Sequence, residues 1–495
     1  MPLNLILDPW IPVRRTDGGP TVIRPDEIAA PGIVFPDWPR ADLNIACLEL
    51  LIGLVFLADP PADDEEWKAR RVPDPARLRE RLAVLAPGFE LTGDAPLFLQ
   101  DFEALEGEPN PPDMLFIDSA GANAVRNNAD LLVKRSRYPV LPLPLAAMAL
   151  YTLQAHAPSG GAGNRTSMRG GGPMVTLVDP GTSRLWDLVW ANTPCGTPAG
   201  PAVLPWMKPT RRSEPKGSET YPQHSHPAEA LFGMPRRLRL VAADDRVTGV
   251  MQRPYGTNYA GWVHPLTPYY RLKPGSELLP LHPRAGAFGY RNWLGVVMAL
   301  REAEPLRRRA AMVDRYEQRL PWGDRQPASV IVAGWSMDNM KPRDFILSRQ
   351  PLLPIDAETA GAIERMIEAA ETFGNVLRSA LKPVAGEGEA LDALRETFFI
   401  DTQKGFDEAV EALLHGRPPE DIARRWVDAM ERVAFGIFDR AALPGLDQRE
   451  LGEMAAIIHA RDGLRGVFAG RLKPGPLVYE GLGLKPRERK KQEAA

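Results

Sequence analysis

The apolar positions of this chain follow two regimes, and the change comes near Pro354. Beyond it they recur every three or four residues, the period of a helix that buries one face. Ile363, Met366, Ile367, Ala370, Phe373, Leu377 and Leu381 form a first stripe, which Pro383 stops. A second runs through Leu391, Leu394 and Phe398 and, after a break, Phe406, Val410 and Leu414. Ile422, Trp426, Met430, Val433 and Ile437 make a third, and Leu451, Met454, Ala455, Ile458 and Leu464 a fourth. Four amphipathic helices with short connections predict an antiparallel four-helix bundle over residues 355–495, ending in a frayed basic tail from Lys485 to Lys491.

Before that boundary the pattern is short and mixed. Leu3 to Val13 reads as a strand starting at the terminus, ended by Pro9 and followed by a Gly18-Gly19 turn. An apolar helix covers roughly Asp42 to Leu57, and Met174–Val178, Arg237–Val241 and Ser329–Val332 read as strands. Pro- and Gly-rich loops separate these elements, and no internal repeat links them. Residues 1–354 are therefore expected to form one irregular α+β domain, and the chain as a whole to be α+β.

Composition narrows the class. With 44% hydrophobic and 25% charged residues the chain is an ordinary globular one, and 51 prolines with 43 glycines imply many loops. Lys plus Arg number 60 against 63 acidic residues, so no whole-molecule field advertises nucleic-acid binding. Any such contact must use a local basic strip, or leave most phosphate neutralisation to partner chains. Cys47 and Cys195 stand far apart without Cys or His company, which excludes a disulfide framework and a structural zinc site and points to reducing cytoplasm. The longest apolar run, Ile45 to Ala58, contains Glu49, is short for a bilayer and follows no basic-then-apolar leader, so neither membrane insertion nor secretion is expected.

Four segments carry candidate chemistry. In Ala157 to Pro173, Gly160, Gly161 and Gly163 would let backbone approach a ligand without Cβ interference. Asn164-Arg165-Thr166 replaces the Gly-Lys-Ser/Thr of a phosphate-binding loop, so nucleotide hydrolysis gains little support; a flexible surface loop is the plain alternative. Gly121 to Arg135 supplies amides and cations suited to phosphate, sugar and base edges, or simply a solvated loop. Gly334 to Arg343 follows an apolar strand and reads as a hairpin tip at Asp338-Asn339, flanked by Met337 and Met340. These are either apolar wedges for a base step or side chains folded back on the core. Arg253 to Pro268 interleaves a cation, aromatics and turn residues, which suits nucleic acid or a packed turn. His224 and His226 form a lone His-x-His without further ligands, and no catalytic set of side chains stands out.

Taken in order along the chain, these segments resemble the CasA family, the large subunit of the type I-E CRISPR Cascade complex. The resemblance rests on Asp8-Pro-Trp-Ile-Pro-Val13, Asn127-Asn128 with Lys134-Arg135, the Ala157–Pro173 segment, Leu231-Phe-Gly-Met-Pro235, Gly261 to Pro268 and Gly334 to Lys341. It implies a non-enzymatic subunit of an antiviral surveillance complex; the cysteines that some relatives carry, in part as a zinc-like knot, are missing here, so no metal is expected, and no cofactor either. Such a subunit contacts the duplex motif beside the target, the PAM, mainly through the minor groove and starts unwinding for R-loop formation. By position the glycine loop is Gly160, Gly161, Ala162 and Gly163, the basic finger is Arg253, and the wedge is Met337, Asp338, Asn339 and Met340. The loop carrying Asn123, Asn127, Asn128, Lys134 and Arg135 resembles one that docks at the crRNA 5′ handle. The implied partners are the backbone, small and handle-binding Cascade subunits, crRNA, target double-stranded DNA and a separate helicase-nuclease; no membrane is involved. The chain departs from some relatives in having Arg253 for Lys and Asn339 for Gln, and in lacking cysteines near Pro142, Leu145 and before the finger. Two readings from other classes remain beside this one: a nucleotide-using enzyme built on residues 160–172, and a purely structural assembly subunit.

Overall fold

The structure, a computed structural model, describes residues 3–488 except 95, 122–124, 129, 131–132, 162, 215–217, 303 and 321–326. It divides into two compact units. The first comprises Met1–Ala285, Gly295–Ala299 and Glu304–Leu353; the second comprises Gly286–Leu294, Leu300–Ala303 and Pro354–Ala495.

The first unit is α+β. Its opening differs from the expected terminal strand, because Leu5–Leu7 turn instead of extending. Asn4 Oδ1 accepts from the amides of Ile6 at 3.0 Å and Leu7 at 3.1 Å, while Asp8 accepts from Asn4 N at 2.8 Å. Such local bonds offer the backbone an alternative to a sheet ladder. The strand β1 is Ile11–Arg15, after Pro9, and it pairs with β2 (Pro20–Ile23) and β3 (Ile33–Pro36).

Helix α1 (Ala41–Ala58) is the centre of this unit. Apolar on every side, it is long and apolar enough to cross a bilayer by length and composition, yet 89% of it is buried inside the protein. Gly53 lets it approach Phe232 closely, since a Cβ there would stand 2.9 Å from that ring. Helix α2 (Leu143–His156) packs against it and ends at the glycine-rich segment. Strand β4 (Val175–Asp179) leaves that segment at its other end.

Two antiparallel hairpins complete the scaffold. Strands β5 (Arg237–Ala243) and β6 (Arg246–Arg253) pair so that Arg253 stands opposite Arg237. Strands β7 (Ala328–Asp338) and β8 (Lys341–Leu352) form the longer hairpin, joined to β4 only through Ser329–Ala333. From Gly334 outward the hairpin is therefore a two-stranded ribbon.

The second unit is the four-helix bundle: α3 (Ala357–Ala380), α4 (Glu389–Leu414), α5 (Pro419–Ala442) and α6 (Leu451–Phe468). The break expected in the second stripe is absent, because α4 runs unbroken and buries Thr402, whose hydroxyl bonds Phe398 O at 2.7 Å. Tyr290, from the Gly286–Leu294 segment, stacks on Phe406 at 4.3 Å. In α6 the expected core stripe is only partly buried: Leu464 faces inward as expected, but Leu451 is 81% and Ile458 55% exposed, and Ile457 and Phe468 are buried instead. Phe468 stacks on Phe373 of α3 at 4.2 Å, and that contact selects which of two apolar stripes is buried. Leu414 is likewise exposed and Leu413 buried in its place. The start of the basic tail is tied down, since Arg487 bonds Asp428 and Glu431 at 2.5 Å each. Its last residues, 489–491, lie outside the described ones.

Candidate nucleic-acid interface

Three of the sequence-selected features meet along one segment, Ala157–Pro173. Its neck is set by a fully buried carboxylate, Glu49 of α1. Glu49 Oε2 lies 2.6 Å from Nε2 of His156, at the end of α2, and Oε1 accepts from Arg169 Nη1 at 2.7 Å. Backbone bonds from Ser167 N to Ala157 O at 2.9 Å and from Gly172 N to His156 O at 3.1 Å close the same neck. The result is a compact Ω-like loop whose two ends share one anchor.

Burial alone would raise the Glu49 carboxyl, but Arg169, His156 and His264 outweigh it and hold it well below the usual carboxylate range. His264 moves the other way: burial and the nearby Arg169 push it well below an ordinary histidine. Its Nδ1 accepts from Leu266 N at 3.2 Å, which leaves Nε2 to carry the proton 3.9 Å from Glu49.

The front of the loop meets the end of β6. Gly163 has φ +81°, and a Cβ there would stand 2.8 Å from the Tyr255 ring; its carbonyl accepts from Tyr255 N at 2.9 Å. Tyr255 itself has φ +61°, unusual for a bulky residue, and its ring is partly exposed. Two residues earlier, Arg253 is exposed and donates to the Glu106 carbonyl. Gly161, at φ +63°, faces open space. Ala162 lies outside the described residues.

The back of the same segment seats the hairpin tip. Asn339 and Met340 have φ +48° and +62°, and Asp338 pairs with Lys341, the pattern of a two-residue type I′ turn. Asn tolerates this conformation, whereas Met stands where glycine is the usual choice. Both methionines lean on the loop. The Cβ that Gly172 lacks would stand 2.8 Å from Met337 Cε, and that of Gly171 3.0 Å from Met340 Sδ. Met337 is half-buried and Met340 45% exposed, so neither is withdrawn into the core. Asp338 pairs with Arg343 and accepts from Asn339 Nδ2 at 3.0 Å, leaving the Asn339 side chain exposed.

The second candidate loop is built on similar principles. Asp118 and Arg137 close its base through bonds of 2.8 and 3.0 Å, with Arg40 adding a third cationic contact to Asp118 at 3.1 Å. Phe116 stacks on Tyr138 at 4.3 Å beneath them. Asn127 and Lys134 are exposed. Arg135, by contrast, is engaged inside the loop, bonding Asp130 and, at 2.8 Å, Asn128 Oδ1. Asn123 lies outside the described residues. Arg40 connects the base of this loop to the hairpin, since its guanidinium also lies 6.0 Å over the ring of Trp335, the residue against which Gly172 packs.

Sequence reasoning passed over Glu49, His156, Arg169, Arg236 and Tyr255. A visible signal existed for Glu49, a lone carboxylate in an otherwise apolar helix, which implies a buried partner. Among the described residues, no group of three or more His, Cys, Asp and Glu side chains could hold a metal ion.

This combination of fold and loops belongs to the CRISPR-associated proteins. The family is Cse1: residues 4–437 match CRISPR-associated protein Cse1, and the chain belongs to that family. Solved structures share its fold at low identity. Cse1 of Thermobifida fusca superposes with a TM-score of 0.72 at 18% identity, over 97% of this chain and 98% of that one. CasA of Thermus thermophilus gives 0.69 at 19% identity, over 95% of this chain and 100% of that one. A chain of a CRISPR RNA-guided surveillance complex gives 0.70 at 16% identity, over 94% of this chain and 99% of that one.

Proposed function

We propose that this chain is the large subunit of a type I-E Cascade complex, reading the PAM in double-stranded DNA and starting the unwinding that lets crRNA pair with its target. The observation that carries the reading is the Ala157–Pro173 segment, which presents an open glycine turn beside Arg253 and Tyr255 on one side and supports Met337 and Met340 on the other. A glycine-lined approach suits the minor groove, where the donor and acceptor pattern is degenerate and the G amino group is the obstacle. A partly exposed thioether pair on a ribbon tip supplies apolar bulk to replace base stacking, and Asn339 an amide to fill the vacated space. Base pairing then tests sequence, as in single-protein RNA-guided recognition.

In this reading residues 1–354 hold the PAM and the crRNA handle, the latter through Asn123, Asn127, Asn128, Lys134 and Arg135. The bundle, 355–495, helps hold DNA within the complex. Partners are the backbone, small and handle-binding subunits, crRNA and a recruited helicase-nuclease, all in the cytoplasm; this chain performs no cutting. The test is a Met337→Ala, Asn339→Ala, Met340→Ala variant in the assembled complex, assayed for R-loop formation on linear, supercoiled and pre-opened targets at one salt concentration. PAM-duplex affinity should be largely kept, linear targets should open poorly, and supercoiling or a bubble should restore opening. Equal impairment on all three targets removes the wedge, and loss of any PAM preference by the wild-type complex removes the reading as a whole.

A further inference from the structure

Arg253, the last residue of β6, is crossed by a strap of chain that runs from Asp101 to Asn110. Both ends of the strap are fastened to the β5–β6 hairpin. Asp101 is fully buried, accepts from Arg237 Nε at 2.6 Å and donates its amide to Leu238 O at 2.8 Å. At the other end Asn110 exchanges two backbone bonds with Val250, each of 2.9 Å, and Pro109 fills the space over Gly249, where a Cβ would stand 2.7 Å from it.

The middle, Glu103–Glu108, is held differently. Among the described residues, its hydrogen bonds beyond the strap go to two exposed cations: the Glu103 carboxylate pairs with Arg212, and the Glu106 carbonyl accepts from Arg253 Nη2. Gly107 lies against the Arg253 guanidinium so closely that a Cβ would stand 3.2 Å from Nη2, and its φ of +120° is one that a side chain disfavours. Glu103, Glu106 and Glu108 are all exposed, so the segment covering the finger carries three negative charges. A clamp that served only to aim Arg253 would gain nothing from them, because they repel the phosphates the finger is to meet.

We propose that Glu103–Glu108 is an autoinhibitory strap that competes with target DNA for Arg253 and Arg212 and must lift before the finger engages. The inference rests on the PAM-reading function and adds to it a regulation of that same site. Apparent affinity is then the intrinsic affinity multiplied by the fraction of complexes whose strap is open.

The experiment uses the assembled crRNA-loaded complex and a PAM-bearing duplex. A Glu103→Gln, Glu106→Gln, Glu108→Gln variant should bind about fivefold tighter at low salt, chiefly through faster association, and the gain should shrink as salt is raised. Gly107→Ala keeps every charge and loosens the strap through backbone strain, so it should tighten binding about threefold. Combined with Arg253→Ala, the same change should have no effect. A glutamate-specific protease should cut within Glu103–Glu108 faster once the duplex is bound. If Arg253→Ala weakens binding while neither strap variant strengthens it, the strap is not inhibitory and PAM reading stands. If Gly107→Ala weakens binding, or the duplex protects the strap from cleavage, the segment is a clamp that aims the finger and the inference is overturned. If Arg253→Ala leaves binding unchanged, the finger reading itself fails and the strap has nothing to mask.

Discussion

Replacing Glu49 by Gln tests whether the Ala157–Pro173 loop is held from beneath. The substitution keeps shape and removes one charge from a cluster in which Glu49 is 0% exposed and Arg169 and His156 are almost as deeply buried. Arg169 would retain only neutral partners, Thr267 Oγ1 and Ala155 O, both at 3.2 Å. Two unit charges about 4 Å apart attract by about 4 kcal/mol at an effective dielectric of about 20, and breaking buried pairs costs about 3–5 kcal/mol. That is a large share of the roughly 5–15 kcal/mol that keeps a domain folded, and should lower the melting temperature by about 10 °C. Removing both charges as Glu49→Leu, Arg169→Met should cost less than Glu49→Gln alone, since no buried charge is stranded. Because the folded carboxyl is held below its unfolded value of about 4.3, its contribution is complete above that pH and lost on acidification through the folded value. Acid sensitivity should therefore be shallower in the Gln variant. Limited proteolysis reads the loop directly, with cleavage near Gly160–Gly163 expected to accelerate. A Glu49→Gln protein within about 1 kcal/mol of wild type, with unchanged proteolysis, would refute the anchoring argument.

Three further outcomes follow from the same geometry. Arg253→Ala should weaken PAM-duplex binding by about 1–3 kcal/mol and reduce its salt dependence, whereas unchanged values in an assembled variant would exclude Arg253 from the interface. A Cβ at Gly161 would meet nothing within 4 Å, but Gly161→Leu must adopt φ +63°, so it should cost about 1–2 kcal/mol of stability, leave assembly intact and block duplex binding in a gel-shift assay. Met340→Gly relieves the left-handed strain at φ +62° and should raise stability by about 1 kcal/mol in urea titration while slowing R-loop formation.

The sequence by itself determined the elements whose burial is periodic and local. Helix α1, apolar all round, and the stripes of α3 and α5 stand where the apolar pattern placed them, because a long apolar run must be buried whole and a helix with one apolar face has few ways to satisfy it. The hairpin was legible for the same local reason, turn chemistry between two extended runs, although its two turn residues are Asn339 and Met340, one position later than the expected Asp338-Asn339. Tertiary structure alone decided whatever depended on contacts distant in sequence. It chose between two apolar stripes on α6 by setting Phe468 on Phe373, and it recruited Tyr290 to Phe406 across more than a hundred positions. It also made one functional body of the Ala157–Pro173 segment: Glu49, Arg236, Tyr255 and the two methionines come from distant elements. No period records that convergence, because a buried carboxylate or guanidinium declares only that it needs a partner, and the fold determines which one it meets.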